Sequence, residues 1–172
     1  GLSVAYLEDR QYEKAVDILN DLLATNPGRI TFQVTLAEVR LAQDRVDEAR
    51  STLKDALARN PGNYPITHTL ALTEIADGNG AAAAEHLKQL TRQLPGQEHL
   101  WLKLAEAEGM ARNIVGVHRA RAEYDVLMGD LESAERQLRQ AQEKLPAGAP
   151  QRQIVTERLA EITSRLHARA NS

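Results

Sequence analysis

The sequence predicts an all-α fold made of repeated helix-turn-helix units. A proline recurs at 34-residue intervals, at Pro27, Pro61 and Pro95. In the same register an alanine stands four residues before a leucine; the pairs are Ala15 and Leu19, Ala49 and Leu53, and Ala83 and Leu87. Such a pair lets two helices approach closely and fills the space beside them. Aromatic residues make up only 3% of the chain, which favours close-packed helices over a sheet.

The clearest repeat runs from Gln33 to Pro61, where two apolar-striped segments meet at residues 43–45. Its small and apolar residues fall at the positions of the tetratricopeptide (TPR) pattern; they are Leu36, Ala37, Ala49, Leu53, Ala56 and Pro61. The chain therefore resembles a TPR protein, which implies a right-handed α-solenoid of about ten helices. The alternative is an ordinary helical bundle in which the spacing of the prolines is accidental.

Residues 1–95 are predicted to hold three TPR repeats, of which the first is truncated at its N-terminus. Residues 1–9 match only the end of a first helix, and its partner helix follows over residues 12–24. We expect further protein upstream of Gly1 for this reason. The third repeat covers residues 64–94 and contains a glycine-rich turn between its helices.

Residues 96–172 are predicted to continue the same solenoid with irregular fourth and fifth repeats and a capping helix. Trp101 occupies a first-helix position of the fourth repeat. The next full match closes only at Pro146, 51 residues after Pro95, which is one and a half periods. One extra helix accounts for this spacing, so we predict a phase slip near residues 111–130.

The capping helix is predicted between Gln151 and Ala168, after a segment broken by proline and glycine. Four large apolar residues are expected on its buried face, namely Ile154, Leu159, Ile162 and Leu166.

The charge of the chain argues against nucleic-acid binding, because a net charge of −3 and a pI near 6.0 lack the usual basic footprint. The charge is uneven, however: residues 1–110 carry 11 Lys/Arg against 16 Asp/Glu, and residues 111–172 carry 10 against 8. Solvated helix faces explain this ordinarily. The alternative is a basic patch that steers an acidic partner, formed by Arg112, His118, Arg119 and Arg121.

The residue types needed for catalysis or metal binding are missing or scattered. The chain has no cysteine, and none of its five histidines has a second histidine or a carboxylate at the His-Glu-x-x-His spacing. There is no nucleophile elbow or phosphate-binding loop, and no apolar run of the ~18 residues of a membrane span. We expect no catalytic residue, metal or cofactor in this chain, and no membrane-spanning segment.

A TPR array binds partners on the concave face formed by the first helix of each repeat. Projecting the 34-residue period predicts ten residues on this face: Val34, Glu38, Leu41, His68, Leu72, Ile75, His99, Leu102, Glu106 and Met110. The set is mostly apolar with a few polar members, which suits an extended or helical peptide. The alternative is that the array coils tightly and these side chains pack against its own later helices.

Three segments carry a more specific resemblance: LWLKLAEAEGM (residues 100–110), VHRARAEY (117–124) and GDLESAERQL (129–138). With them the chain resembles the C-terminal TPR domain of BepA-type (YfgC) bacterial periplasmic zinc metalloproteases. The resemblance covers essentially the whole chain and is most specific over residues 99–145. The zinc motif of that family is absent from this sequence, so no catalytic residue is carried over.

The resemblance implies the partner-binding half of a periplasmic chaperone and protease. It implies a catalytic domain upstream that holds zinc, and partners among outer-membrane β-barrel proteins and the β-barrel assembly machinery. The domain would hold substrate or machinery while the protease domain cuts stalled chains. The alternative is a freestanding TPR scaffold for secretion or pilus assembly, since the repeats themselves would look the same.

Overall fold

The computed structural model describes the backbone of residues 2–170 and the side chains of residues 10–170. Over residues 2–170 the chain forms nine α-helices and no strand, which confirms the predicted fold class. The helices are α1 (Leu2–Thr25), α2 (Ile30–Ala42), α3 (Val46–Arg59), α4 (Tyr64–Ala76), α5 (Gly80–Gln93), α6 (Glu98–Met110), α7 (Ile114–Met128), α8 (Leu131–Glu143) and α9 (Pro150–Ala170). None of these helices is long and apolar enough to cross a membrane.

The helices form two compact units, the first ending at Gly78 and the second beginning at Asn79. In the first unit each helix from α1 to α4 packs on the next one, and α2 also contacts α4. In the second unit α5, α6, α7, α8 and α9 pack in sequence in the same way. Packing between chain neighbours is the pattern of a helical repeat. The predicted division into regular repeats before residue 96 and irregular ones after it stays a prediction.

The turns between helices repeat the sequence period. Asp44 (φ 61°), Gly78 (φ 75°) and Arg112 (φ 58°) adopt the left-handed conformation at 34-residue intervals, each just after a helix end. Gly129 (φ 82°) comes 17 residues after Arg112, which is half a period. The predicted phase slip is therefore one additional helix, α7, which packs on both α6 and α8.

The helix count differs from the predicted ten because α1 runs without a break where two helices were expected. Arg10 stands 34 residues before Asp44 and so occupies the place of a turn. At each of the other turns with this spacing, either Asp or Gly holds the left-handed position, or an Asn that caps the next helix follows it directly. Arg112, for example, is followed by the cap residue Asn113. Arg10 is followed by Gln11 instead, so neither the turn nor a new helix start is favoured and the helix continues.

The buried core of each unit follows the predicted repeat positions. In the first unit Ala49 and Leu53 are fully buried on α3, where they contact α2 and α4 through Ala37 and Leu70. In the second unit one buried cluster joins α7, α8 and α9; it comprises Ala122, Leu131, Ala134, Leu138, Ala141, Leu145, Val155, Leu159 and Ile162. Full burial of a leucine-sized side chain stabilises the fold by roughly 1.5–3 kcal/mol.

The capping helix packs on the core with most of the predicted apolar face. Leu159 and Ile162 are buried as expected and Leu166 packs against the same cluster, but Ile154 is 53% exposed and Val155 is buried in its place. Val155, Leu159 and Ile162 lie at i, i+4 and i+7, which is one continuous stripe of a helix, whereas Ile154 lies beside that stripe. Ile154 is therefore accessible on the surface of the second unit.

A carboxylate also ties α9 to α8. The Glu135 Oε1 atom accepts hydrogen bonds from Arg139 Nη2 at 2.7 Å and from Thr163 Oγ1 at 2.9 Å. The hydrogen bond from Arg139, followed by that from Thr163, lowers the pKa of Glu135 below its ordinary value. Its charged form is therefore favoured in the folded protein.

Candidate functional site

The residues predicted for the concave face differ in their exposure. In the first unit, on α2 and α4, only Glu38 is exposed. Val34 and Leu41 are half-buried and pack against the core of that unit, and His68 is half-buried with its ring stacked on Tyr64. Leu72 and Ile75 are also half-buried. Val34 and Leu41 thus belong to the packing of the first unit, whereas the binding role of the set and the alternative of a tightly coiled array both stay predictions.

In the second unit the predicted concave residues lie on α6, and all four are exposed: His99, Leu102, Glu106 and Met110. Leu102 is 46% exposed and Met110 is 38% exposed. Glu106 forms an ion pair with Lys103, whose Nζ atom lies 2.8 Å from Glu106 Oε2. These residues leave an accessible apolar surface on α6, on which the two large apolar side chains stand two turns apart.

The predicted basic patch is divided by the structure. Arg112 and Arg121 are exposed, whereas His118 is half-buried with its Nδ1 atom 2.8 Å from Gln137 Oε1. Arg119 is also half-buried, and it alone of the four lines a groove in the second unit. The four residues thus have different surroundings, and only Arg119 combines a charge with an enclosed apolar surface.

This groove has a volume of about 350 Å³ and lies entirely within the second unit. Five helices contribute to it: Lys88, Thr91 and Arg92 from α5, Trp101, Leu104 and Glu108 from α6, Gly116, Arg119, Ala120 and Glu123 from α7, Leu138 from α8, and Ile154, Val155 and Arg158 from α9. Its floor is apolar, since Leu104, Ala120, Leu138 and Val155 are buried. Charged side chains surround this floor.

One wall of the groove is fixed by an ion pair between α9 and α7. Arg158 donates to both oxygens of Glu123, from Nε at 2.9 Å and from Nη2 at 2.6 Å, and also to Glu161 at 2.6 Å. The hydrogen bond to Glu123 is the main reason that the pKa of Arg158 is raised despite its partial burial. A two-pronged pair of this kind holds geometry as well as charge.

A second ion pair lies at the groove, between α5 and α6. The Glu108 carboxylate is almost fully buried; it lies 3.1 Å from Lys88 Nζ and accepts from Asn113 Nδ2 at 2.7 Å. Burial alone would lower the pKa of Lys88, but its hydrogen bonds to Glu85 and Glu108 outweigh that effect and raise it. Lys88 therefore stays charged and paired with Glu108 at the groove.

The first unit contains an equivalent of this buried carboxylate. Glu74 stands 34 residues before Glu108, is 2% exposed, and accepts from Arg50 Nε on the preceding helix at 3.0 Å. Arg50 also pairs with Asp47 and Asp77. Its pKa is raised, chiefly by the hydrogen bond to Glu74. A buried carboxylate held by a cation of the preceding helix thus recurs with the repeat, although sequence reasoning did not detect it.

Two arginines at the groove are left without such partners. Within the described residues, the side chains of Arg92 and Arg119 make no hydrogen bond or ion pair. The two carboxylates that line the groove already form ion pairs, Glu108 with Lys88 and Glu123 with Arg158. The groove therefore presents two guanidinium groups that are free to bind an anionic group.

Two apolar side chains are accessible beside these charges. Trp101 is half-buried, and its indole Nε1 donates to the Pro95 carbonyl at 2.8 Å, which fixes the ring. Ile154 of α9 is more than half exposed. A fixed aromatic ring that remains partly accessible is typical of residues that anchor protein partners.

Among the residues that line this groove, sequence reasoning had placed only Arg119 in a candidate site, and it had not included Trp101, Arg92, Ile154 or Arg158. The 34-residue period projects only first helices onto a common face, whereas this groove depends on the extra helix α7 and on α9. The available signals were the position of the only tryptophan of the chain and the excess of basic residues after residue 110.

The arrangement is suited to binding. In the part of the chain that the structure describes, no group of three or more His, Asp or Glu side chains could hold a metal ion. The groove offers an apolar floor, an aromatic side chain and two unpaired cations. Together with the sequential packing of short helices, these features define an α-helical repeat protein with a groove that combines apolar and charged side chains.

The fold is shown by comparison with known proteins. The family profile "Tetratricopeptide repeat" matches residues 6–71. A double mutant of MamA is similar in structure with a TM-score of 0.65 and 10% identity, covering 99% of this chain and 94% of that one. A thermophilic TPR protein of Thermus thermophilus is similar with a TM-score of 0.52 and 21% identity, covering 94% and 95%. The chain thus has the tetratricopeptide repeat fold.

A third similar structure is a chain of the Naa15/Naa10 complex bound to HypK-THB, with a TM-score of 0.55 and 20% identity. That match covers 95% of this chain but only 28% of the other. No curated protein matches this chain in sequence. At such low identity these likenesses show the fold alone.

Proposed function

We propose that this chain is a protein-binding domain that holds a segment of a partner protein in the groove of its second unit. The observation that carries the proposal is the combination of unpaired Arg92 and Arg119 with the accessible Trp101 over an apolar floor. Unpaired cations beside buried apolar surface gain more from a ligand than from water, because a ligand can satisfy charge and apolar surface together. The TPR fold supports this, as does the likeness to a chain from an assembly of several proteins.

Our more specific proposal is that the domain belongs to a BepA-like chaperone and protease of the periplasm. The support is the resemblance of residues 100–110, 117–124 and 129–138 to that family. The domain would then present outer-membrane β-barrel proteins, or the β-barrel assembly machinery, to a zinc metalloprotease domain elsewhere in the parent protein. A freestanding scaffold for secretion or pilus assembly is the competing proposal.

Site-specific photo-crosslinking in the native cells tests the proposal. A photoreactive phenylalanine is placed at Ile154 in the groove, at Leu102 or Leu72 on the predicted concave face, and at Arg136 as an exposed control on α8. Because these positions are half-buried or exposed, the substitutions should leave the core intact.

We expect a discrete crosslinked protein from the Ile154 probe and none from the Arg136 probe. If that protein is an outer-membrane protein or a component of its assembly machinery, the BepA-like function is supported, whereas a pilus or secretion component favours the freestanding scaffold. Capture from Leu72 and Leu102 with none from Ile154 would mean that the binding surface is the predicted concave face and not the groove.

A further inference from the structure

We propose that the groove selects a segment with a carboxylate side chain next to a large apolar side chain. This inference rests on the proposed function, since it names the chemistry of the partner that the same groove binds. Three features of the groove support it: its uncompensated positive charge, the partial burial of Arg119, and the apolar surface formed by Trp101 and Ile154.

The charge of the groove is positive, although the whole chain is negative. Four cationic side chains line it, Lys88, Arg92, Arg119 and Arg158, against the carboxylates Glu108 and Glu123. The formal net charge of the chain is −3. The positive charge is therefore local to this site, and it attracts an acidic segment while the rest of the molecule repels one.

The carboxylates of the groove cannot easily supply the missing partners. Both oxygens of Glu123 are taken by Arg158, at 2.9 and 2.6 Å. Glu108 is held by Lys88 and Asn113, and it is 3% exposed. A carboxylate from outside can instead meet the planar fork of Arg119, and in a half-buried site such a pair is stronger than on an open surface.

The apolar part of the groove determines what kind of ligand residue can stand next to the carboxylate. Trp101 is held by its hydrogen bond to Pro95, and Ile154 is exposed. A volume of about 350 Å³ lies near the lower end of the range of small-ligand pockets, about 300–1,000 Å³. It has room for a few side chains, so the ligand is a short segment with one large apolar residue and a carboxylate, not a folded surface.

The experiment selects ligands from a display library of random linear 12-residue peptides with the folded chain. Selected peptides are synthesised in two forms, as found and with each Asp or Glu replaced by its amide. Binding is followed through the fluorescence of Trp101, which is the only tryptophan in the chain and lies in the groove.

We expect the selected peptides to contain Asp or Glu next to a large apolar residue and to change the emission of Trp101. The amide forms should bind about tenfold more weakly, as the loss of one charge-assisted hydrogen bond implies. Arg119→Gln should lose about the same factor for the acidic peptide and almost none for the amide form. Arg121→Gln is the matched control on the same helix, because Arg121 is exposed and does not line the groove, and it should bind within about twofold of the parent.

Arg92→Gln serves as a second variant in case Arg119→Gln unfolds, since Arg92 is exposed. Selected peptides that change Trp101 emission but bind equally in acidic and amide forms would overturn the carboxylate inference and leave the groove as the binding site. If no peptide changes Trp101 emission, both the inference and the proposed groove are wrong.

Discussion

Gly80, the first residue of α5, lies close against α6 and the residue that follows it, and Gly80→Ala is a sharp test of this packing. An added Cβ atom would lie 2.6 Å from the Ala107 carbonyl oxygen and 2.7 Å from the Ala111 nitrogen, and it would also collide with Met110 Cβ. Backbone atoms cannot rotate away as a side chain can, so α5 and α6 must separate. Ordinary van der Waals contact begins near 3.4 Å.

Overpacking costs about 1–3 kcal/mol, and a collision with backbone atoms belongs in the upper part of that range, about 2–3 kcal/mol; the higher helix propensity of alanine offsets about 1 kcal/mol of it. We expect a net destabilisation of about 1–2 kcal/mol, which lowers the Tm of a chain of this size by about 2–8 °C. Thermal unfolding followed by circular dichroism measures it. Gly96→Ala is the matched control, because nothing lies within 4 Å of a Cβ atom there. A Gly80→Ala variant as stable as Gly96→Ala would show that the two helices are not packed this closely.

Three further predictions follow from the ion pairs. Arg50→Met removes the arginine that pairs with the buried Glu74 carboxylate. The free energy of unfolding measured in urea should therefore fall by about 3–5 kcal/mol, and a fall of less than about 1 kcal/mol would contradict the pairing. Gly116→Ala places a Cβ atom 2.5 Å from the carboxyl carbon of Glu108, so the Tm of this variant should fall. When Glu108→Ala is already present, the carboxyl group is gone and Gly116→Ala should lower the Tm by less. Because the folded pKa of Glu135 is lowered, this group stabilises the fold above its unfolded pKa, ordinarily 4.5, and the contribution is lost as pH falls below that value through the folded pKa. Glu135→Gln should remove this part of the acid sensitivity in urea titrations between pH 7 and 3, and an unchanged pH profile would refute the assignment.

The regular part of the fold could be predicted because its period is carried by single residues. Ala49, Leu53, Ala83 and Leu87 are fully buried where the period placed them. The missing break in α1 shows the limit of this reasoning. A repeat position fixes where a turn could be, but the chain turns only if the local residues favour the left-handed conformation or cap a new helix.

The groove could not be predicted in the same way. Its walls include α7, which exists because of the half-period insertion, and α9, on which Val155 is buried and Ile154 is exposed. The exposure of Ile154 could have been predicted, because only Val155 continues the helical stripe of Leu159 and Ile162. The pairing of Arg158 with Glu123 could not, because it spans 35 residues of sequence with no local signal.

The half-period at α7 has a consequence for how the chain can be lengthened or shortened. Successive helices joined by tight turns alternate in direction, so inserting or removing a 34-residue pair leaves the direction of every later helix unchanged. A 17-residue step, such as that from Arg112 to Gly129, adds one helix instead of two and so changes the number of helices from even to odd. Deleting α7 alone would thus reverse α8 and α9 and point the end of the chain the opposite way. The parity of the helix count, rather than the length of the chain, fixes the side from which any following segment of the second unit departs.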